Sequence, residues 1–113
     1  MRLEALPLDW TVWDGTASEW NNTISHFDDV NVYQTSEWAD HKSTSGWGVV
    51  RLVCLADGAR VVAAAQCLYR SGPLSTVVVW VPGGPIGDLG TVTSKFVNLL
   101  KSHLNTKLIY VRI

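Results

Sequence analysis

Hydrophobic residues recur along this chain in two periods, one near four and one of two, and the switches between them predict an α/β (α+β) protein with a mixed sheet. Leu3 to Leu6 reads as a short first strand. Thr16-Ala17-Ser18-Glu19 has the form of a capping box, and Trp20, Ile24 and Phe27 follow at helical spacing, which predicts a first helix over about 16–27. A second short helix is expected to start near Thr35 or Ser36, whose hydroxyls can accept from first-turn N–H groups. It runs through Trp38 to about Lys42 and ends by Gly46.

Two alternating runs, Trp47 to Ala56 and Arg60 to Tyr69, flank Asp57-Gly58, a pair favoured in two-residue type I′ hairpins. That turn places Cys54 opposite Val61 and Cys67 opposite Gly48, with Val50, Leu52, Cys54, Val61, Ala63, Ala65 and Cys67 on one apolar face. The sulfurs are then six ladder steps apart, roughly 20 Å at strand rise, so no disulfide is expected and both thiols read as buried strand residues. Arg51, Arg60 and Gln66 fall on the other face, where the small Ala63 to Ala65 run allows close approach of a helix. Val77 to Val81 is continuously apolar and β-branched, the pattern of a central strand buried on both faces. After the loop 82–88, Val92, Phe96, Leu99, Leu100 and Leu104 recur at helical spacing, and Lys107 to Ile113 returns to strand. A strand-helix-strand unit of this length predicts parallel pairing through a right-handed crossover. The last strand, Leu108 to Ile113, has no proline or bulge to blunt an exposed edge, so later residues or a second copy are expected to cover it.

The 113 residues, 47% of them hydrophobic and 17% charged with a net charge of −1, fit one globular domain with one core. No run of about eighteen apolar residues and no charged-then-apolar leader is present, which gives the expectation of a cytoplasmic chain without a transmembrane segment. The Asn21-Asn22-Thr23 sequon then has no glycosylation to direct. Scattered Lys and Arg form no broad footprint for nucleic acid. His26, His41 and His103 lack partners at metal-ligand or relay spacing, and neither a Gly-x-Ser-x-Gly elbow nor a Gly-Lys-Ser/Thr phosphate loop occurs. No metal or cofactor is expected.

The order of elements resembles the first two thirds of the GNAT acyltransferase fold. In ordinary GNAT members acyl-CoA places its pyrophosphate on backbone N–H groups at a helix start after the fourth strand. At that place this chain has Val81-Pro82-Gly83-Gly84-Pro85-Ile86, which lacks the usual CoA signature. Val32-Tyr33-Gln34-Thr35-Ser36-Glu37-Trp38-Ala39, Gly46-Trp47 and Trp80-Val81-Pro82-Gly83-Gly84-Pro85-Ile86-Gly87-Asp88 occur in the order found in the Fem family of peptidoglycan-bridge aminoacyltransferases, and the chain resembles the first domain of those enzymes.

The resemblance implies transfer of an amino acid from aminoacyl-tRNA onto an amine of a nucleotide- or lipid-linked cell-wall precursor peptide. The precursor lies mostly on the first domain and the tRNA-borne donor on a second. Residues 1–113 are accordingly expected to form a single incomplete GNAT-like domain on the acceptor side, with the donor domain absent. Lys42 aligns with a lysine that bonds the precursor's diphosphate, although most lysines at helix ends are simply solvated. Asp88 aligns with an acidic residue able to take a proton from the attacking ammonium, although an Asp before a helix is ordinarily an N-cap. Gly83, Gly84 and Pro85 shape the loop and permit close ligand approach. Tyr33 and Trp38 are candidates to line an acceptor groove, the alternative being core or rim packing, and Gln34 reads as a satisfied buried amide. Two other functions remain open: a non-catalytic module that dimerises through 108–113, and an N-acyltransferase that uses CoA thioesters.

Overall fold

A computed structural model describes residues 8–87 and 92–113. The elements are β1 (Leu8–Val12), α1 (Ala17–Ile24), a 3-10 turn (Val32–Gln34), α2 (Ser36–Ser43), β2 (Gly48–Ala56), β3 (Arg60–Ser71), β4 (Val77–Trp80), α3 (Ser94–His103) and β5 (Ile109–Arg112). The strands form one five-stranded sheet in sequence order. Its first three pairings are antiparallel, and β4–β5 is parallel across the α3 crossover. This mixed α+β arrangement fits a partial GNAT-like fold.

Each helix start is fixed by a side chain that accepts from an otherwise orphaned N–H. Thr16 and Glu19 form the reciprocal capping box of α1. Thr35 caps α2, and Thr93 caps α3 from just outside the helix, so exposed Val92 is left off it. The first helix stops at Ile24 rather than 27, because Ser25 caps it and Phe27 N–H turns back to the Ile24 carbonyl at 3.1 Å. Phe27 still packs against the α1 core.

The strand expected at Leu3 to Leu6 lies outside the described residues, and the first strand observed is Leu8–Val12. Five residues carry little periodic signal. Pairing from Leu8 opposite Ala56 to Val12 opposite Leu52 is what makes them a strand. The hairpin register also differs from the expected one. Asp57 and Gly58 do take the positive φ values of a type I′ pair, 54° and 68°. Ala56 nevertheless pairs with Arg60, and a bulge between Cys54 and Leu55 puts Cys54 opposite Ala63 and Cys67 opposite Val50. A slip of two positions preserves facing, so Val50, Leu52, Cys54, Ala63, Ala65 and Cys67 still share the apolar face. Near the turn the slip is one position, and Val61 crosses to the opposite face while Val62 replaces it. The strand expected to be central, β4, lies fourth of five, with Val79 buried and Val77 and Val78 half-buried. Its apolar run reflects packing on one face and a neighbour on each side.

Helices cover both faces. On one, α3 inserts Phe96 and Leu100 against Trp10, Leu52, Cys67 and Val79, with Phe96 edge-on to Trp10 at 4.8 Å between centroids. On the other, α1 places Trp20 and Ile24 over Val53 and Ala64, where the small Ala64 admits the bulky indole. Among the described residues no helix is long and apolar enough to cross a membrane.

Phe96→Ala should lower unfolding free energy by about 3–5 kcal/mol in urea titration, because it empties the contact with Trp10; a loss below about 1 kcal/mol would mean α3 is not docked there. Both cysteines are buried, and burial pushes their thiols up. A thiol reagent at pH 8 should therefore label neither in the native protein and both in denaturant. Rapid native labelling would contradict the hairpin packing.

Candidate substrate-binding surface

The site is organised from a buried amide outward. Gln34, at 0% exposure, ends the 3-10 turn and lies under the Pro82–Gly87 loop. Its Nε2 donates to the Pro82 carbonyl at 2.8 Å and the Gln66 carbonyl at 3.2 Å, while Oε1 accepts from the Gln66 N–H at 2.6 Å. Gln66, also at 0%, donates from Nε2 to the Thr35 carbonyl at 2.7 Å, and its Oε1 accepts from Arg51 Nε at 3.0 Å. Trp20 Nε1 donates to the Gln34 carbonyl at 2.8 Å. Buried polar groups are tolerated only when bonded this completely. Burial lowers the basicity of Arg51, opposed in part by the charge of Asp40, yet a guanidinium stays protonated.

Two further side chains stitch the loop to the segment before α2. Asn31 donates from Nδ2 to the Gly83 carbonyl at 2.8 Å and accepts the Tyr33 N–H at 3.1 Å, and the Asp29 carboxylate accepts the Gly87 N–H at 2.9 Å. The glycines are required for contact. Gly83 has φ +67° and a Cβ on it would run into the Asn31 amide, and a Cβ on Gly84 would lie 2.8 Å from the Gln34 amide. The Gly84–Pro85 peptide is cis.

Above this base, α2 presents Trp38 and Lys42 one helical turn apart. Lys42 Nζ lies 5.0 Å from the Trp38 ring centroid and 5.5 Å from that of Trp80, which ends β4 beside the loop. Tyr33, 45% exposed, meets Trp38 edge-on at 4.9 Å. Trp38 Nε1 is buried without a hydrogen-bond partner among the described residues. The other α2 charges turn elsewhere: Glu37 accepts from Asn21 and Ser36, which holds its pKa down, and Asp40 acts on Arg51. Among the described residues Lys42 has no carboxylate in ion-pair range. Such a cation is positioned by rings yet not neutralised, and suits a phosphate or carboxylate ligand.

The structure thus brings Tyr33, Trp38 and Lys42 together and ties Gly83, Gly84 and Pro85 to the same segment. Asp88 lies outside the described residues. Gln34 is the satisfied buried amide expected. Trp80 was not foreseen as a site residue, although an indole closing an apolar strand beside a Pro-Gly-Gly-Pro loop is a usable signal. Gln66 and Arg51 were read only as members of a mixed face, and their pairing depends on the corrected register. His26, His41 and His103 are exposed. Among the described residues no three potential metal ligands cluster. Clefts of about 390 Å³ beside Trp13, Arg51 and His103 and about 450 Å³ beside Phe27, Arg60 and Gly87 do not include Tyr33, Trp38 or Lys42.

A family model described as FemAB family matches residues 16–113. The chain belongs to the FemAB family. It is also similar to a solved structure described as the crystal structure of FemX, with a TM-score of 0.60 and 20% identity over 84% of this chain and 23% of that one. At that identity the likeness concerns the fold, and this FemAB-family chain spans less than a quarter of the FemX chain. No curated protein matches significantly.

Gln34→Leu, close in volume, should destabilise the protein by about 3 kcal/mol in denaturant unfolding, because it strands the Pro82 carbonyl and the Gln66 N–H in the interior. A change under about 0.5 kcal/mol would show that the amide does not hold the loop.

Proposed function

We propose that this chain supplies the acceptor-binding part of a FemAB-type aminoacyltransferase, which moves an amino acid from aminoacyl-tRNA onto an amine of a nucleotide- or lipid-linked peptidoglycan precursor peptide. The observation that carries this reading is the Lys42 ammonium seated on Trp38 and Trp80 beside the loop that Gln34 and Asn31 hold. An ammonium held by aromatic faces keeps its N–H donors for a diphosphate. Tyr33 and Trp38 extend an aromatic wall for the body of the ligand, and exposed Gly83 and half-buried Pro85 are the members of the adjoining loop proposed to lie against it, with buried Gly84 packed on Gln34 behind them.

In the proposed reaction the acceptor amine attacks the ester carbonyl of the aminoacyl group. A C–N bond forms, the ester C–O bond breaks, and the tRNA hydroxyl leaves with a proton. Asp88 is the proposed recipient of the ammonium proton, a role that rests on the family motif. The aminoacyl donor would be held by a second domain, and most of the rate would come from alignment of amine and ester. A CoA-thioester donor is less well supported: the N–H groups of Gly84, Ile86 and Gly87 are already engaged by Val81, Ala64 and Asp29, so they do not offer a pyrophosphate cradle.

A second reading is favoured by the sheet edge. β5 is the outer strand, and Leu108, Tyr110 and Ile113 are 55%, 62% and 63% exposed. An unblunted edge of this kind can accept the same strand of another copy. Light scattering should then show a dimer that Val111→Lys dissolves.

For the acceptor reading, calorimetric titration of the chain with a nucleotide-linked muramyl pentapeptide should show saturable binding that Lys42→Ala weakens about tenfold, the worth of a hydrogen bond to a charged group. Absence of binding at millimolar ligand would sink the acceptor assignment. Binding indifferent to Lys42→Ala would remove the lysine from it.

A further inference from the structure

The cationic surface continues past Lys42. Trp80 packs on Trp47 with centroids 5.9 Å apart, and the guanidinium carbon of Arg70 lies 4.2 Å from the Trp47 ring centroid. Arg70 is exposed near the end of β3. It opposes Val78, two positions from Trp80, so it shares the face of the sheet that carries that indole. Arg112, opposite Trp80 on β5, falls on this face too. Lys42 and Arg70 are therefore two cations joined by a pair of touching indoles, and among the described residues neither has an ion-pair partner.

Their chemistry differs. Lys42 is a point charge with rotatable donors. Arg70 lies over a ring and carries a planar fork of N–H donors, a geometry that matches a carboxylate two at a time. Lys42 lies over Trp38 and Trp80 while Arg70 lies over Trp47, so the two cations rest on different indoles of the packed pair. We infer that Arg70 is a second ligand-binding residue, which takes a peptide carboxylate of the same extended molecule whose diphosphate Lys42 binds. Trp47 and Trp80 form the wall between the two anchor points. The inference rests on the acceptor-site reading and deepens it, since it sets the direction in which the precursor lies: diphosphate toward α2, peptide carboxylate toward the end of β3. A ligand that lacks the carboxylate would use only half of the surface.

The test is calorimetric titration of the whole chain with two probes, a nucleotide-linked muramyl pentapeptide and the corresponding nucleoside diphosphate without sugar or peptide. Lys42→Ala should weaken both. Arg70→Ala should weaken the peptide-bearing ligand about five- to tenfold and leave the nucleoside diphosphate unchanged. Arg70→Lys, which keeps the charge and loses the planar fork, should recover part of the difference. Near-ultraviolet circular dichroism of each variant reports whether the indoles keep their packing. If Arg70→Ala leaves the peptide-bearing ligand unchanged while Lys42→Ala weakens it, the inference fails and the acceptor reading stands. Equal weakening of both probes by Arg70→Ala would place Arg70 on the diphosphate and overturn the carboxylate assignment. No binding of either probe to the unaltered chain removes both readings.

Discussion

The side-chain amide of Gln34 is the constraint from which the surface is built. It meets the Pro82 carbonyl, the Gln66 carbonyl and the Gln66 N–H, and so joins three segments distant in sequence: the turn before α2, the middle of β3 and the loop after β4. Neither a hydroxyl nor a carboxylate could replace it, because the position calls for two donors and one acceptor in a single plane. The loop glycines follow from the same geometry, since any side chain on Gly84 would displace the amide. A shift of Gln34 would move the start of α2 and the end of β4 together, and with them Trp38, Lys42 and Trp80.

Two cations lie near this amide network and serve opposite ends. Arg51 is half-buried, bonded to Gln66 and stacked 5.6 Å from the Trp20 ring, so its charge is spent on closing the network. Lys42 rests on two rings and keeps its N–H donors uncommitted among the described residues. Aromatic faces attract a cation without supplying the negative charge that would cancel its field, worth about 0.5–1 kcal/mol each at exposed sites. A carboxylate partner would hold the ammonium more firmly and would compete with any anionic ligand. A binding cation gains from the weaker seat.

Much of this was legible in the sequence because local chemistry sets it. The capping box at Thr16 and Glu19, the hydroxyl caps before α2 and α3, and the helical spacing of Phe96 and Leu100 are signals within a single turn. The facing of Leu52, Ala63 and Cys67 also followed from alternation, and it survived a wrong register because the error was an even number of residues. What failed depends on distant partners. Nothing in Leu8–Val12 alone marks a strand until β2 pairs with it. The bulge at Cys54 is invisible to a rule that reads only the Asp57-Gly58 turn. The surface was legible in part, since Tyr33, Trp38 and Lys42 are close in sequence. Trp80 and Arg70 come from strands that only the sheet brings beside α2.

The distribution of roles among polar residues accounts for the unpaired charge of Lys42 among the described residues. Among the described residues several amides and carboxylates near the loop are committed: Asn31 and Asp29 to Gly83 and Gly87, Gln34 and Gln66 to backbone carbonyls, Glu37 to Asn21. The charge left over is positive and sits on indoles, which contribute contact area at little entropic cost. An anionic ligand bound there would displace no ion pair of Lys42 or Arg70 among the described residues. Because Gln34, Asn31 and Asp29 already hold residues 82–87 of the loop, a ligand bound beside them would spend no binding energy on ordering that stretch.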